Sequence, residues 1–194
     1  MRPALVLMSL CFALMGCVEA PAMTDEEVKA AWEKEHDTTI DSDDFGIKRS
    51  ETFKNVISCG TFAHDYGMRD SGMFVGATFT DSVNGCQTVL ENAGWKDAKV
   101  DAREKLAKAY VCEVLCAWRG YMATADDNFK SQDKFKFSEM EAKTVEGKTV
   151  ITFWQAGVVG MRPERDYYKI EVTIGEDGKM GERKTLEQFE VSLR

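Results

Sequence analysis

The chain has 194 residues, a formal net charge of −8, six cysteines and two histidines. Its acidic residues are scattered, and no basic run is present that would bind the phosphates of a nucleic acid or an anionic lipid surface. The composition therefore excludes nucleic-acid binding and indicates a solvated acidic surface.

The first segment is apolar from Ala4 to Met15 and carries one charge, on Arg2. It is too short to cross a bilayer as a helix, and the pattern is typical of a secretory signal peptide. Its last residues, Leu14-Met15-Gly16-Cys17, resemble the lipobox of bacterial lipoproteins. The resemblance implies a signal peptide at 1–16 and lipidation, including palmitate, on Cys17. It covers only this segment and implies nothing about the fold.

The same resemblance predicts a location on the periplasmic face of the bacterial cell envelope. Val18 after the lipid cysteine, in place of aspartate, favours the outer membrane over the inner one. The alternative is cleavage after the A-x-A pattern Ala20-Pro21-Ala22, which would give a soluble secreted or periplasmic protein. No later stretch is long and apolar enough for a second membrane segment.

Thr24 and Glu27 form a capping-box pattern, which predicts a helix that ends near His36. The acidic segment that follows is typical of a linker. We therefore expect residues 17–49 to form a lipid-tethered helix and linker, and residues 50–194 to form a single domain.

The main body divides into an α-rich part and a β-rich part. The pattern of residues 50–63 fits either a helix or a strand. The pattern of residues 72–79 predicts a short strand, and we expect the next helix to begin at Asp81 or Ser82. A long helix is expected from about Asp97 to Met122, followed by four strands with alternating apolar residues. We predict an α+β fold, with a helical N-terminal half and the long helix packed on a four-stranded antiparallel β-meander.

Four cysteines remain beside Cys11 and Cys17, namely Cys59, Cys86, Cys112 and Cys116. An even number in an exported chain favours disulfides. Helical geometry places Cys112 and Cys116 opposite the apolar stripe that includes Tyr110 and Trp118. The preferred pairing joins these two cysteines to Cys59 and Cys86. The alternatives are Cys112–Cys116 with Cys59–Cys86, or a metal or redox site, which would normally use a C-x-x-C spacing.

Other candidate sites have weaker signatures. Cys59 and His64 could act as nucleophile and base, but no nucleotide loop, nucleophile elbow or zinc-protease motif is present. Asp41 begins a calcium-loop pattern, but Thr52 replaces its bidentate glutamate. The sequence predicts no catalytic residue, no cofactor and no metal. Arginine and tyrosine are enriched at interfaces, so one basic turn is a candidate interface: Arg162, Arg165, Tyr167 and Tyr168.

The sequence favours a non-catalytic protein over an enzyme. The leading hypothesis is a membrane-anchored envelope lipoprotein that acts as a binding or assembly module, with an envelope protein or a small ligand as its partner. The competing hypothesis is a small periplasmic thiol-dependent enzyme or oxidoreductase that uses Cys59 with His64, or Cys112 with Cys116.

Overall fold

The structure is a computed structural model that describes residues 22–63, 67–118, 120–157 and 164–192. Helices accompany two antiparallel sheets of four strands each. The predicted α+β class is therefore confirmed. The predicted helical N-terminal half is wrong, because the first sheet forms directly after the first helix.

Helix α1 spans Asp25–His36 and begins at the predicted capping box. The Glu27 backbone N–H donates to Thr24 Oγ1 at 3.3 Å, and the Thr24 N–H donates to Glu27 Oε2 at 2.7 Å. Val28 and Trp32 are buried on one face of the helix. The helix ends at Asp37, which adopts a left-handed conformation.

The first sheet, called sheet A, contains β1 (Phe45–Arg49), β2 (Val56–Ala63), β3 (Gly67–Val75) and β4 (Thr78–Thr80), adjacent in that order. The segment that fitted either a helix or a strand is thus largely a strand. The segment interpreted as a linker supplies β1, which pairs with β2 from Phe45 to Arg49. Residues before position 50 are therefore part of the sheet.

Three helices follow sheet A: α2 (Cys86–Asn92), α3 (Val100–Tyr110) and the short α4 (Asp127–Lys130). A π-helical segment, Val111–Leu115, continues α3. The Cys116 N–H donates to the Val111 carbonyl at 2.8 Å, which closes this wide turn. The helix predicted to run as far as Met122 therefore ends earlier, in a π-helical turn.

The second sheet, called sheet B, contains β5 (Glu141–Val145), β6 (Lys148–Ala156), β7 (Glu164–Ile174) and β8 (Met180–Ser192), adjacent in that order. Residues 120–122 extend it along β6. The Met122 N–H donates to the Trp154 carbonyl at 3.1 Å, and the Ala156 N–H donates to the Gly120 carbonyl at 3.0 Å.

The main core lies between the two sheets and is shared by both. Val56 and Met73 enter it from sheet A, Tyr110 from α3, and Ile151 and Ile170 from sheet B. A second cluster packs α1 against the other face of sheet A. A third cluster, rich in aromatic residues, lies on the other face of sheet B around Phe129. Among the described residues, no helix is long and apolar enough to span a bilayer.

Candidate ligand-binding cleft

A cleft of about 330 Å³ lies between sheet A and sheet B. Four separate parts of the chain line it: the middle of β3, the turn before α2, the end of the π-helical segment, and the start of β8. The lining residues are Ser71, Gly72, Asp81, Ser82, Val83, Val114, Leu115, Trp118, Met180, Gly181 and Arg183.

Trp118 lies over a glycine of sheet A. A Cβ atom at Gly46 would stand 2.7 Å from Trp118 Cη2 and 2.6 Å from Phe62 Cε2, so the ring position requires glycine there. Phe62 meets the indole in an edge-to-face contact, and the Lys48 ammonium lies 4.4 Å from a ring centroid. The Lys48 ammonium also donates to the Ala117 carbonyl. These contacts fix Trp118 in the wall of the cleft.

The Nε1 atom of Trp118 is buried and has no hydrogen-bond partner among the described residues. By contrast, Nε1 of the buried Trp95 donates to the carbonyls of Gly175 at 3.1 Å and Glu176 at 3.2 Å. Buried donors in folded proteins are normally paired with protein or water. The described protein groups therefore leave this indole donor unsatisfied, and its burial closes it off from the open space of the cleft.

Two charged side chains of opposite sign line the cleft. The Asp81 carboxylate accepts from the backbone N–H groups of Val83 and Asn84, both at 2.8 Å. Hydrogen bonds from Asn84 and Val83 lower the pKa of Asp81 despite partial burial. On β8, the Arg183 guanidinium donates to Oε1 of the buried Gln155. Arg183 is the only positively charged residue among the described residues that line the cleft.

The lining is suited to binding rather than to nucleophilic chemistry. Val114, Leu115, Trp118 and Met180 provide apolar surface, whereas the described lining residues include neither histidine nor cysteine. Elsewhere too, the described residues contain no group of three histidine, cysteine, aspartate or glutamate side chains placed to hold a metal ion. Small-molecule sites in proteins are typically concave and mostly apolar, with a few polar groups.

None of the four described cysteines of the predicted disulfides forms a disulfide bond in the structure. Cys59 is fully buried between sheet A and α1, and its Sγ donates to the Gly72 carbonyl at 3.7 Å. Cys86 is fully buried in the main core, beside the Tyr110 hydroxyl. Burial raises the pKa of each of these two thiols to about 12.

The prediction that Cys112 and Cys116 lie away from the core is wrong for Cys116. Cys116 is 4% exposed and belongs to the main core, whereas Cys112 is half-buried at the edge of that core. The physical reason is the π-helical turn, which changes the angular position of every residue that follows it. Burial, together with the adjacent Glu113 charge, raises the pKa of Cys112.

Sheet A separates Cys59 from the π-helical segment. The neighbouring Ser58 hydroxyl donates to the Glu113 carbonyl at 3.3 Å, so Ser58 faces that segment. Cys59 faces α1, because successive residues of a strand point to opposite faces. The preferred pairing requires Cys59 to lie close to Cys112 or Cys116, and the fold does not bring them together.

The candidate interface turn is largely built into the fold. Tyr167 is fully buried, and its hydroxyl lies 2.9 and 3.0 Å from the two carboxylate oxygens of Asp126. The half-buried Arg165 forms an ion pair with Asp126 at 3.2 Å, and Tyr168 is half-buried. Tyr167 is therefore a core residue in the structure, and the predicted interface would have to use the half-buried Arg165 and Tyr168. Cys17, His64 and Arg162 lie outside the described residues.

The sequence did not single out the residues of the cleft as a site. Trp118 was expected only as part of an apolar helical stripe, and Arg183 carried no motif. Comparisons of the chain with protein-family models, with curated proteins and with solved structures find no match.

Proposed function

We propose that the protein is a non-catalytic binding module of the bacterial envelope, anchored by a lipid on Cys17. The observation that carries this proposal is the cleft between the two sheets, whose described lining combines apolar residues with one cation. The proposed location is the periplasmic face of the envelope, with the outer membrane favoured over the inner one.

The state of the thiols supports binding over the alternative, a thiol-dependent enzyme or oxidoreductase. The thiolate is the reactive form of cysteine, and catalytic cysteines have lowered pKa values in electropositive sites. Here burial raises the pKa of Cys59 and Cys86 to about 12, and that of Cys112 also rises. These thiols remain protonated at neutral pH, which makes them poor nucleophiles.

A lipid on Cys17 would hold the domain close to the membrane. Helix α1 begins at Asp25, eight residues after Cys17. An extended chain of that length reaches at most about 28 Å, at roughly 3.5 Å per residue. Such a tether keeps the cleft within reach of molecules at the membrane surface.

Substitution of the lipid cysteine in a bacterial host tests the anchor. We expect the Cys17→Ala protein to lose its membrane association after a carbonate wash. Cys11→Ala is the matched control, because Cys11 lies inside the proposed signal peptide and its loss should leave the protein in the membrane fraction. Retention of the Cys17→Ala protein in the washed membranes would contradict the lipid anchor.

Native mass spectrometry of protein purified from its own envelope tests the binding function. We expect a bound small molecule on the unaltered protein and its loss in Val83→Arg, which places a bulky charge at the rim of the cleft. Val145→Arg is the control, because Val145 is 62% exposed on β5 and does not line the cleft. Rapid alkylation of Cys112 at neutral pH, with no bound molecule, would favour the thiol enzyme instead.

A further inference from the structure

We infer that the cleft between the sheets binds a small amphipathic carboxylate, with its apolar body along the π-helical segment and its carboxylate at Arg183. This inference rests on the proposed binding function and specifies the class of ligand. It depends on the size of the cleft, on its apolar lining and on the positive charge of Arg183.

The size and the lining of the cleft fit a small apolar body. Its volume of about 330 Å³ is near the lower end of the range of about 300–1,000 Å³ for ligand sites. Leu115 and Met180 line it from the π-helical segment and from β8. Val83, at the rim, is 49% exposed, so a ligand in the cleft would remove apolar surface from water.

The charges favour a carboxylate at one end of the cleft. Arg183 supplies the positive charge, and its guanidinium is oriented by the hydrogen bond to Gln155. A guanidinium presents a planar fork of donors that matches the two oxygens of a carboxylate. Asp81, which also lines the cleft, remains ionised because its hydrogen bonds lower its pKa. Its negative charge repels an anion, which favours Arg183 as the partner of the ligand carboxylate.

Trp118 gives a signal for occupancy of the cleft. Its ring lines the cleft, and the benzene edge of the indole lies over Gly46, at Cζ3 and Cη2. Its Nε1 is buried and lacks a partner among the described residues, so the ligand contacts the ring and not this donor. A ligand packed against the ring should shift the resonance of the indole N–H group.

The test is an NMR titration of the full-length mature protein with decanoate, below the concentration at which decanoate forms micelles. The Trp118 indole resonance is assigned by its loss in Trp118→Phe. Decan-1-ol and decylamine, titrated under the same conditions, provide the same chain with a neutral or a positive head group. We expect decanoate to shift the Trp118 resonance saturably and to bind more tightly than either control compound.

Two substitutions with matched controls locate the site. We expect Arg183→Gln to lower the affinity for decanoate about tenfold, the effect of losing one charge-assisted hydrogen bond. The affinity for decan-1-ol should not change. Lys184→Gln, at the next position of β8, should bind as the unaltered protein does. Val83→Ser should lower the affinity for both compounds, whereas Val145→Ser should change neither affinity. The indole resonances of Trp32, Trp95 and Trp154 report whether each variant is folded.

The inference is overturned if decan-1-ol binds as tightly as decanoate, if Arg183→Gln has no effect, or if none of the three compounds shifts the Trp118 resonance. Any of these results leaves the proposed binding function intact when a bound molecule is still found on the protein purified from its envelope. Absence of both the bound molecule and the titration signal would overturn the proposed function as well.

Discussion

Glu113 holds Thr52 with both carboxylate oxygens: Oε2 accepts from the Thr52 backbone N–H at 3.0 Å, and Oε1 accepts from its hydroxyl at 2.5 Å. Oε2 also accepts from the Glu51 backbone N–H at 3.0 Å and from the Ser50 hydroxyl. One carboxylate on the π-helical segment therefore organises the whole turn between β1 and β2.

We expect Glu113→Gln to destabilise the protein by about 1–3 kcal/mol, because hydrogen bonds to a charged acceptor are lost and the amide N–H₂ faces other donors. Urea unfolding at pH 7 measures the change. Glu182→Gln, an exposed position on β8, is the control and should change stability by no more than about 0.5 kcal/mol. Equal stability of the two variants would show that the Glu113 hydrogen bonds contribute little.

The contribution of Glu113 should also depend on pH. Burial acts to raise its pKa, but the hydrogen bonds from Ser50, Thr52 and Glu51 together lower it below the ordinary value of 4.5. A carboxyl group with a lowered folded-state pKa stabilises the fold above its unfolded-state pKa and loses that effect as the pH falls through the folded-state value. The stability difference between the unaltered protein and Glu113→Gln should therefore shrink as the pH falls below the ordinary pKa of 4.5 toward the lower folded-state pKa.

We expect Gly46→Ala to destabilise the protein by about 1–3 kcal/mol, the usual cost of forcing extra volume into a packed site. The added methyl group would meet the rings of Trp118 and Phe62, which must then move. Gly181→Ala is the control, because its Cβ would lie 3.4 Å from the Thr173 carbonyl oxygen, an ordinary contact. Thermal unfolding measures both variants, and unchanged stability of Gly46→Ala would mean that Trp118 adjusts without cost.

Asp126 and Asp127 are neighbours with different roles. The Asp126 side chain accepts from the Phe129 N–H at 2.8 Å, which caps α4, and also from the buried Tyr167 hydroxyl. The Asp127 side chain is fully exposed. We expect Asp126→Ala to cost about 1–3 kcal/mol and Asp127→Ala no more than about 0.5 kcal/mol. Parallel urea titrations provide the comparison, and equal costs would contradict the structural role of Asp126.

The thiols should differ in reactivity in the order of their exposure. In a form of the protein that begins at Val18, we expect a thiol reagent to modify the half-buried Cys112 first. Its rate should still be increasing at pH 9, where an ordinary thiol begins to level off, because the pKa of Cys112 is raised above 9.0. Cys59, Cys86 and Cys116 should react only on unfolding, when all four thiols should be counted. A smaller count under denaturing conditions would instead indicate the disulfides that the sequence predicts.

The parts of this fold that could be predicted from the sequence are those with strong local patterns. The parts that were missed depend on pairing between residues that are distant in the sequence. The capping box at Thr24 and Glu27 predicts α1 by itself, because its hydrogen bonds lie within one turn. The β1 segment contains Gly46 and only a weak apolar alternation, so its structure depends on pairing with β2. The wrong helical face predicted for Cys116 has a different origin. A prediction that assumes 100° per residue cannot anticipate a π-helical turn, which changes the angular position of the residues after it.

The cleft could not be predicted from any one segment. Its walls come from residues near positions 71, 82, 116 and 182, which only the packing of the two sheets brings together. Trp118 and Arg183 each match a common surface or core role when considered alone. Their functional interest arises from their joint position in one cavity, and sequence spacing contains no record of that position.

The main core that both sheets share bears on how the protein unfolds. Val56 of sheet A and Ile151 of sheet B bury their side chains in the same cluster, together with Tyr110 of α3. Neither half of the chain can bury its share of this main core without the other, so a cut in the connection after α4 should yield two fragments that are unfolded apart and fold when mixed. Cooperative folding of the whole chain would thus be a condition for assembling the cleft, because each half contributes one of its walls.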